Sequence, residues 1–504
     1  MGAVLPVLVL VACVKVDPSA DFRLAREAIR ESTGVRDVYA PESDPISEAE
    51  INVTVQDGLA LDEALRLALV NNRGLQSDFL EIGIARSDLV QSGLFSNPSL
   101  ALSVQFPEGG GRSNLQTSLA QNIVDLWQIP ARKRVAQSDL DQAVLRLARL
   151  ANVLAIDARR SYFAAVAAQD MLQVAQENLQ LVEKSVRTIR AQREAGAASQ
   201  LDENLARGQV LNAQLAQIAA RLEAVNSKRR LARLLSIEAD MAQVMLTDPL
   251  PGPLAEGLTA EALVPAAREH RLDLRALDAG VRSAESKVRL EYLDIFPEVS
   301  VGPFLERGER RASPGRDVLA DTARASIASG ALTAPDIQSR GQRRKERRQE
   351  IDAILGPAMT MTLPIFDQNQ AQIAKAKYQY EQAVKSFEAS YLAIAQDIRM
   401  GVERANTASR NVAFYRDELL PQAQRNLDIA TSAFNAGGTS ILAVLEAQRS
   451  FLEARRGLLT ARAEAASAWA DLELAVGVPL VEMRRTPAPA SQPLMSEIIG
   501  HSGQ

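Results

Sequence analysis

Two stretches of this 504-residue chain repeat apolar residues at alternating steps of three and four over a length that no globular domain can cover. The first runs Val144, Leu147, Ala151, Leu154, Ala158, Ser161, Ala165, Ala168, Leu172, Ala175, Leu179, Val182, Val186, Ile189, with only Ser161 polar. The second runs Tyr380, Val384, Phe387, Tyr391, Ile394, Ile398, Gly401, Ala405, Ala408, Val412, Tyr415, Leu419. Sustained alternation of this kind is the seam of a coiled coil. A helix of about 64 residues is roughly 95 Å long at 1.5 Å per residue, so such helices must lie along one another. Composition agrees, since 47% of the residues are apolar and only 4% aromatic. The apolar content is therefore mostly Ala, Leu, Val and Ile, which suit close helix packing.

Both long helices are predicted to stop at glycine, at Gly196 in the first and at Gly437-Gly438 in the second. Glycine past a helix end permits the left-handed turn that reverses the chain. The returning segments are expected to keep the seam through Leu201, Leu205, Leu211, Leu215, Ile218 and Leu222 in one case. Leu445, Leu452, Leu459 and Ala466 do the same in the other. Each half thus reads as a helical hairpin.

The halves are copies of one unit. Gly58-Leu59, Leu75 and Pro98 recur as Gly257-Leu258, Leu274 and Pro297 at an offset of 199, Trp127 as Phe366 at 239, and Gly196 as Gly437 at 241. About forty residues are therefore inserted in the second copy. The expected organisation is a signal segment at 1–13, an N-terminal segment at 14–57, repeats at 58–246 and 257–480, an insertion at about 305–356, and a flexible tail at 481–504.

Between the shorter helix and the long one the period changes to two. Leu100, Leu102, Val104 and Phe106 alternate with Ser99, Ala101, Ser103 and Gln105, and Leu115, Thr117, Leu119 and Ile123 alternate with Gln116, Ser118, Ala120 and Asn122. The second copy places Val299 and Val301 in one strand, and Met359, Met361, Leu363 and Ile365 in the other. Apolar-out, polar-in strands of about nine or ten residues, ending near Trp127 and Phe366, match membrane-spanning barrel strands with interfacial aromatics. One such hairpin alone would read as half buried on a soluble domain. Four strands cannot close a barrel, for which about eight are the minimum, and open edges are excluded from lipid. Assembly of several copies is the expectation.

Composition narrows the alternatives. The net charge of −5 gives no hint of nucleic acid. His270 and His501 are the only histidines and Cys13 the only cysteine, too few for a histidine-centred active site or a cysteine-rich metal site. No phosphate-binding loop, nucleophile elbow or zinc-binding motif occurs. An enzyme, a cofactor and a bound metal are not expected. Val4 to Ala12 is an apolar run of the length of a signal h-region, and Leu10-Val11-Ala12-Cys13 is similar to a bacterial lipobox, which would lipidate Cys13. No Lys or Arg precedes Val4, unlike most signal segments, and the other reading is a buried thiol in a short apolar stretch. No other apolar run reaches the length of a transmembrane helix.

Over residues 58 to 480 the chain resembles the TolC-like outer membrane efflux proteins. The residues that carry this are Leu61-Asp62-Glu63-Ala64-Leu65 with Asn71-Asn72 and Leu75, and Arg271-Leu272-Asp273-Leu274. Asp125-Leu126-Trp127, Leu363-Pro364-Ile365-Phe366, and the segments Gly196 to Asp202 and Gly437 to Glu446 add to them. The resemblance implies a mainly α fold with a small β part. Three copies would build a 12-stranded transmembrane barrel and a periplasmic α-barrel. It implies a passive duct of the Gram-negative outer membrane, in contact with its lipid. The duct would serve tripartite efflux or type I secretion through a periplasmic adaptor (membrane fusion) protein and an inner-membrane pump of the RND or ABC type. Asp202 and Glu446 stand where the family rings its constriction with acids, while Ala443 replaces a further carboxylate; both acids could also be plain solvated surface groups. Gly196, Gly437 and Gly438 mark the tips expected to dock the adaptor. Arg343, Arg344, Lys345, Arg347 and Arg348 in the insertion would meet lipopolysaccharide phosphates, or form a solvated loop. The competing class is a soluble coiled-coil scaffold without a pore.

Overall fold

A computed structural model describes residues 15–42, 46–106, 113–196, 198–238, 240–252, 259–296, 298–309, 327, 329–330 and 351–480. Cys13, the tail at 481–504 and the basic run of the insertion lie outside the described residues. The first seam lies in one unbroken helix, α5 (Asp125–Glu194, 70 residues). None of its seam positions is exposed; Ala151, Ala158, Ala165 and Ile189 are fully buried. The second seam is carried by α9 (Gln370–Phe414), a π turn (Tyr415–Leu419) and α10 (Leu420–Asn435). The π turn follows from Pro421, which lacks the N–H that would bond Asp417 and whose ring would collide with that carbonyl. Widening the preceding turn relieves the clash, and Leu420 donates five residues back to Tyr415. It also shifts the register, so Leu419, expected in the seam, is 38% exposed and burial resumes at Ala423 and Leu427.

The remaining helices are α1 (Ser19–Thr33), α2 (Glu48–Gln56), α3 (Leu61–Asn71), α4 (Arg73–Ser92), α6 (Gln200–Leu235), α7 (Ala260–His270), α8 (Leu272–Leu293) and α11 (Ile441–Val476). None of the described helices is long and apolar enough to cross a membrane. The chain divides into two compact units, each drawing on both halves of the duplication: Met1–Leu89 with Ala136–Ser283 and Tyr380–Gln504, and Val90–Val135 with Ala284–Gln379.

In the first unit, Phe22, Ala25 and Ile29 of α1 pack with Phe79 of α4, Leu67 of α3, Tyr162 of α5 and Leu231 of α6. The duplicated motifs place polar groups around this core. Glu63 accepts from the Ala60 N–H at 2.9 Å, and Asn71 and Asn72 donate to the last carbonyls of α6, from Leu234 to Ser236, at 2.7–3.0 Å. Those carbonyls have no partner within their own helix, so two side-chain amides close the end of α6. A second core joins α7, α8, α9 and α11 through Leu274, Ile394, Ile398, Ala468 and Leu472. At its edge Arg271, where the first copy has Asn72, grips Asp273 with two bonds of 3.0 and 2.7 Å and Asp397 at 3.0 Å; Arg149 stands 3.6 Å from Asp273.

The second unit holds one sheet, in the order β1 (Ser99–Gln105), β2 (Asn114–Asn122), β3 (Val299–Glu309), β4 (Ile351–Met361), all antiparallel. The third and fourth strands differ from expectation. β3 runs on to Glu309 and β4 already starts at Ile351, so both enter the span assigned to the insertion. At its other end β4 stops at Met361, before Leu363 and Ile365, because Pro364 has no N–H to give a ladder. In the β2–β3 ladder no pair forms at Gly302 and Pro303. A Cβ at Gly302 would overlap the Leu119 carbonyl, so only glycine permits this approach.

Burial pushes the Asp273 carboxyl up, but the Arg271 hydrogen bonds and the charges of Arg149 and Arg271 outweigh it and hold the group below the usual carboxylate range. A carboxyl lowered on folding contributes stability that is complete above its unfolded value, near pH 4, and lost as pH falls through the lower folded value. Asp273→Asn should therefore cost roughly 2 kcal/mol at neutral pH, with the gap from wild type closing as pH falls below the ordinary carboxylate range. Denaturant titrations across that range check this, and a gap independent of pH contradicts it.

Candidate functional site

The two hairpin tips are built alike and capped differently. In the first, the Gly196 N–H bonds the Arg193 carbonyl at 2.9 Å with Gly196 at φ +77°. In the second, Gly438 donates to Ala433 at 2.8 Å and Gly437 to Phe434 at 3.0 Å, with Gly437 at φ +72°. That pair of bonds is a Schellman closure, and the positive φ is what glycine supplies.

Past the turns the returning helices diverge. Ser199 caps α6: its Oγ accepts from the Asp202 N–H at 3.1 Å, while Asp202 Oδ2 accepts from the Ser199 N–H at 2.8 Å and from its hydroxyl at 2.7 Å. This reciprocal box ties down Asp202, and the Ser199 hydroxyl and backbone hold its carboxyl below the usual range. In α11 the cap Ser440 makes no side-chain bond, and Ala443, where α6 has Asp202, has no acceptor to complete a box. Glu446 lies one turn further on and is exposed. The two candidate constriction acids are thus not equivalent: one is fixed at the third position of its helix, the other stands exposed at the sixth.

The tips meet through an apolar cluster of Ile189 from α5, Ala206 from α6 and Ile441, Val444 and Leu445 from α11, flanked by Val186, Ala198, Ala430 and Phe434. Further along, Glu177 pairs with Arg455 at 2.8 Å and Gln448 donates to Ser185 at 3.1 Å, linking α5 to α11. Asp202 and Glu446 therefore flank one shared contact between the hairpins.

Sequence reasoning missed Glu203. Its side chain has no exposure, with Arg207 at 2.5 Å and Arg193 at 2.9 Å. The signal was the Glu-to-Arg spacing of four on α6, a common surface pair, and only the fold reveals that Arg193 closes it from the other arm.

The returning seam of the first hairpin is also corrected. The face of α6 that is buried runs through Glu203, Ala206, Ala213 and Ala224. Leu201, Leu205, Leu211, Leu215, Ile218 and Leu222 instead form an apolar stripe, each 41–66% exposed. Small residues let α6 approach its neighbours closely, which leaves the leucines outside. The stripe of α11 behaves as expected: Leu445 and Ala466 are buried, Leu452 and Leu459 half-buried.

The sheet shows the same division by face. Register pairing puts Leu100, Leu102, Val104, Leu115, Leu119, Val299, Val301, Leu305, Leu355, Met359 and Met361 on one face. Ser99, Ser103, Gln105, Asn114, Gln116, Ser118, Ser300, Glu306 and Thr360 lie on the other, where Asn114 and Gln116 both donate to Glu306; Phe304 and Ile354 on this mainly polar face, and Gln121 and Arg307 on the mainly apolar one, depart from the division. The apolar face is open, with Leu100 70%, Leu355 74% and Met359 65% exposed. Among the described residues β1 and β4 each pair on one side only. Trp127 and Phe366 each fall five residues past the end of their strand. Trp127 stands in the first turn of α5, edge-on to Phe296 with centroids 6.5 Å apart, and Phe366 is 92% exposed.

Replacing Glu203 by Gln removes the anion between two guanidinium groups. Since Arg193 and Arg207 can both reach water, the cost should be moderate, about 1–3 kcal/mol. Hydrogen exchange should show the loosening concentrated at 186–206, and protection unchanged there would refute the assignment.

The model of the family described as outer membrane efflux protein matches residues 263–478. The cobalt-zinc-cadmium resistance protein CzcC of Cupriavidus metallidurans is 24% identical over 407 residues, covering 79% of this chain and 85% of that protein. Protein CyaE of Bordetella pertussis is 28% identical over 358 residues, 65% of this chain and 72% of its own length. Among solved structures, the outer membrane protein VceC of Vibrio cholerae aligns with a TM-score of 0.63 at 17% identity, over 86% of this chain and 99% of VceC. Duplicated helical hairpins, a four-stranded sheet with one apolar face and these likenesses agree: the chain is similar to outer membrane efflux proteins, by the family model over residues 263–478 and in fold over most of its length.

Proposed function

We propose that this protein is the outer-membrane channel of an efflux or type I secretion system, a passive conduit from periplasm to exterior. The observation that carries it is the sheet of the second unit, apolar and open on one face, polar on the other, with an unpaired strand at each side. In lipid every backbone polar group needs a partner, so the edges β1 and β4 must meet those of other copies. Three copies supply twelve strands, a common barrel size. The apolar face meets lipid, the polar face with Glu306 lines water, and Trp127 and Phe366 sit at the interface.

The leucine stripe of α6 supports the same assembly. An exposed apolar row with coiled-coil spacing packs against another helix, and a head-to-tail contact between copies closes into a ring. In the ring each acid appears three times, so Asp202 and Glu446 form negative belts at the tips, and Asp202, held by its capping box, is the fixed one. The turns at Gly196 and at Gly437-Gly438 offer the docking points for a periplasmic adaptor, which couples the duct to an inner-membrane pump of the RND or ABC class. Cys13 serves as a lipid anchor. The duct itself carries no energy source and no chemistry, so its partner pump selects the cargo; CzcC, a relative, is named for resistance to cobalt, zinc and cadmium.

Planar-bilayer recordings test this reading. The purified protein should open cation-preferring channels, and Asp202→Asn with Glu446→Gln should lower the cation-to-anion permeability ratio at least two-fold without abolishing conductance. A protein that leaves the bilayer silent, or a ratio indifferent to both acids, contradicts it.

A further inference from the structure

The second unit carries a band of exposed cations just beyond its aromatic side chains. Lys133 and Arg134 project from the third turn of α5, and Lys375 and Lys377 from the second and third turns of α9; all four are exposed. Neighbouring cations differ in kind. Arg132 is held by Asp125 at 2.5 Å and Arg289 by Glu285 at 2.6 Å. Lys133, Arg134, Lys375 and Lys377 have no ion-pair partner among the described residues. Lys377 instead lies 5.4 Å from the centre of the Tyr292 ring.

The carboxylates of the same region are mostly engaged. Asp125 takes Arg132 and the Ser96 N–H, Asp294 takes Gln128, Glu291 takes Asn369, and Asp367 takes the Asn369 N–H. Among the described residues of this unit, Glu298 remains exposed. The cations therefore hold no ion pair among the described residues, yet they occur on both helices that follow a strand.

Their depth suits a phosphate layer. Lys133 and Arg134 lie about 9–10 Å along α5 from Trp127, and Lys375 and Lys377 about 8–11 Å from the start of α9. Aromatic belts mark the edge of the hydrocarbon, and the headgroup layer beyond it is roughly 5–8 Å thick on each side. Long basic side chains reach back across such a gap while keeping their charge in the polar layer. Exposed Phe95 and Phe296, each 57% exposed, complete the aromatic side of the band.

We propose that Lys133, Arg134, Lys375 and Lys377 form a cationic collar that binds the phosphate headgroups of anionic phospholipid in the leaflet next to Trp127 and Phe366, fixing the depth of the barrel. The collar rests on the reading of the sheet as membrane-spanning. Three copies would repeat the four charges around the barrel, so that weak individual contacts add.

The test uses the full-length protein in detergent, supplemented with phosphatidylglycerol or with phosphatidylcholine, and reads the thermal midpoint of the assembled form and the number of lipids retained in native mass spectra. Phosphatidylglycerol should raise the midpoint by several degrees more than phosphatidylcholine, with the increment shrinking at about 0.5 M salt, where charges are screened within a few ångströms. The variant Lys133→Gln, Arg134→Gln, Lys375→Gln, Lys377→Gln should lose at least half of that increment and of the retained anionic lipids, while conducting as wild type. If it does not assemble, the two pairs changed separately should each lose part. Equal stabilisation of wild type by both lipids, or a full increment in the variants, overturns the collar. A wild type that does not conduct overturns the conduit instead, whatever the lipids do.

Discussion

The backbone of a four-stranded sheet whose apolar side faces outward leaves two rows of unpaired N–H and C=O groups. In water those rows would be solvated, but a sheet with Leu100, Leu355 and Met359 bare on one face is unsuited to water on that face. In lipid the face is at ease and the edges are not. On the proposed reading of the sheet as membrane-spanning, pairing with further strands satisfies both. The local details fit a sheet that must curve and stay in register. Gly302 permits close approach to Leu119, Pro303 interrupts donation at the same place, and both lie within an otherwise regular ladder.

The helical unit solves a different problem. Seams of alanine and aliphatic residues, joined in α9 by Tyr380, Phe387 and Tyr391, pack α5, α9 and α11, and polar groups are used to close ends. Asn71 and Asn72 finish α6, Ser199 and Asp202 start it, and Arg271 takes over the Asn72 position in the second copy by gripping carboxylates. The two halves thus share their helices while differing in the chemistry at the helix ends. At the tips the asymmetry matters most: Asp202 is tied to Ser199, whereas Ala443 leaves the corresponding turn of α11 uncapped by a side chain.

The long helices, the glycine turns and the two-faced strands were legible because each depends on local periodicity or on a backbone angle. What was not legible depended on contacts distant in the chain. The leucines of α6 look like a continuation of the seam, but sequence spacing gives a stripe without saying whether it faces its own hairpin or a neighbour, and Ala206 and Ala213 won the inner position. The ion trio of Glu203 needed Arg193 from the opposite arm. The π turn had a local signal in Pro421 that the smooth seam concealed. The end of β4 was set by Pro364 against the alternation of Leu363 and Ile365. At the tips the difference in anchoring had a local signal, Ser199 three residues before Asp202 against Ser440 three before Ala443, which a search for acids passes over.

The account stands on the strand deficit, and the most direct measurement of it is the mass of the detergent-solubilised particle. Each chain is 54.6 kDa. Native mass spectrometry should find three copies per particle, with no stable population of the single chain at submicromolar concentration. A monodisperse single chain that keeps its β structure in detergent would contradict it, because the edges of β1 and β4 would then be satisfied without a partner.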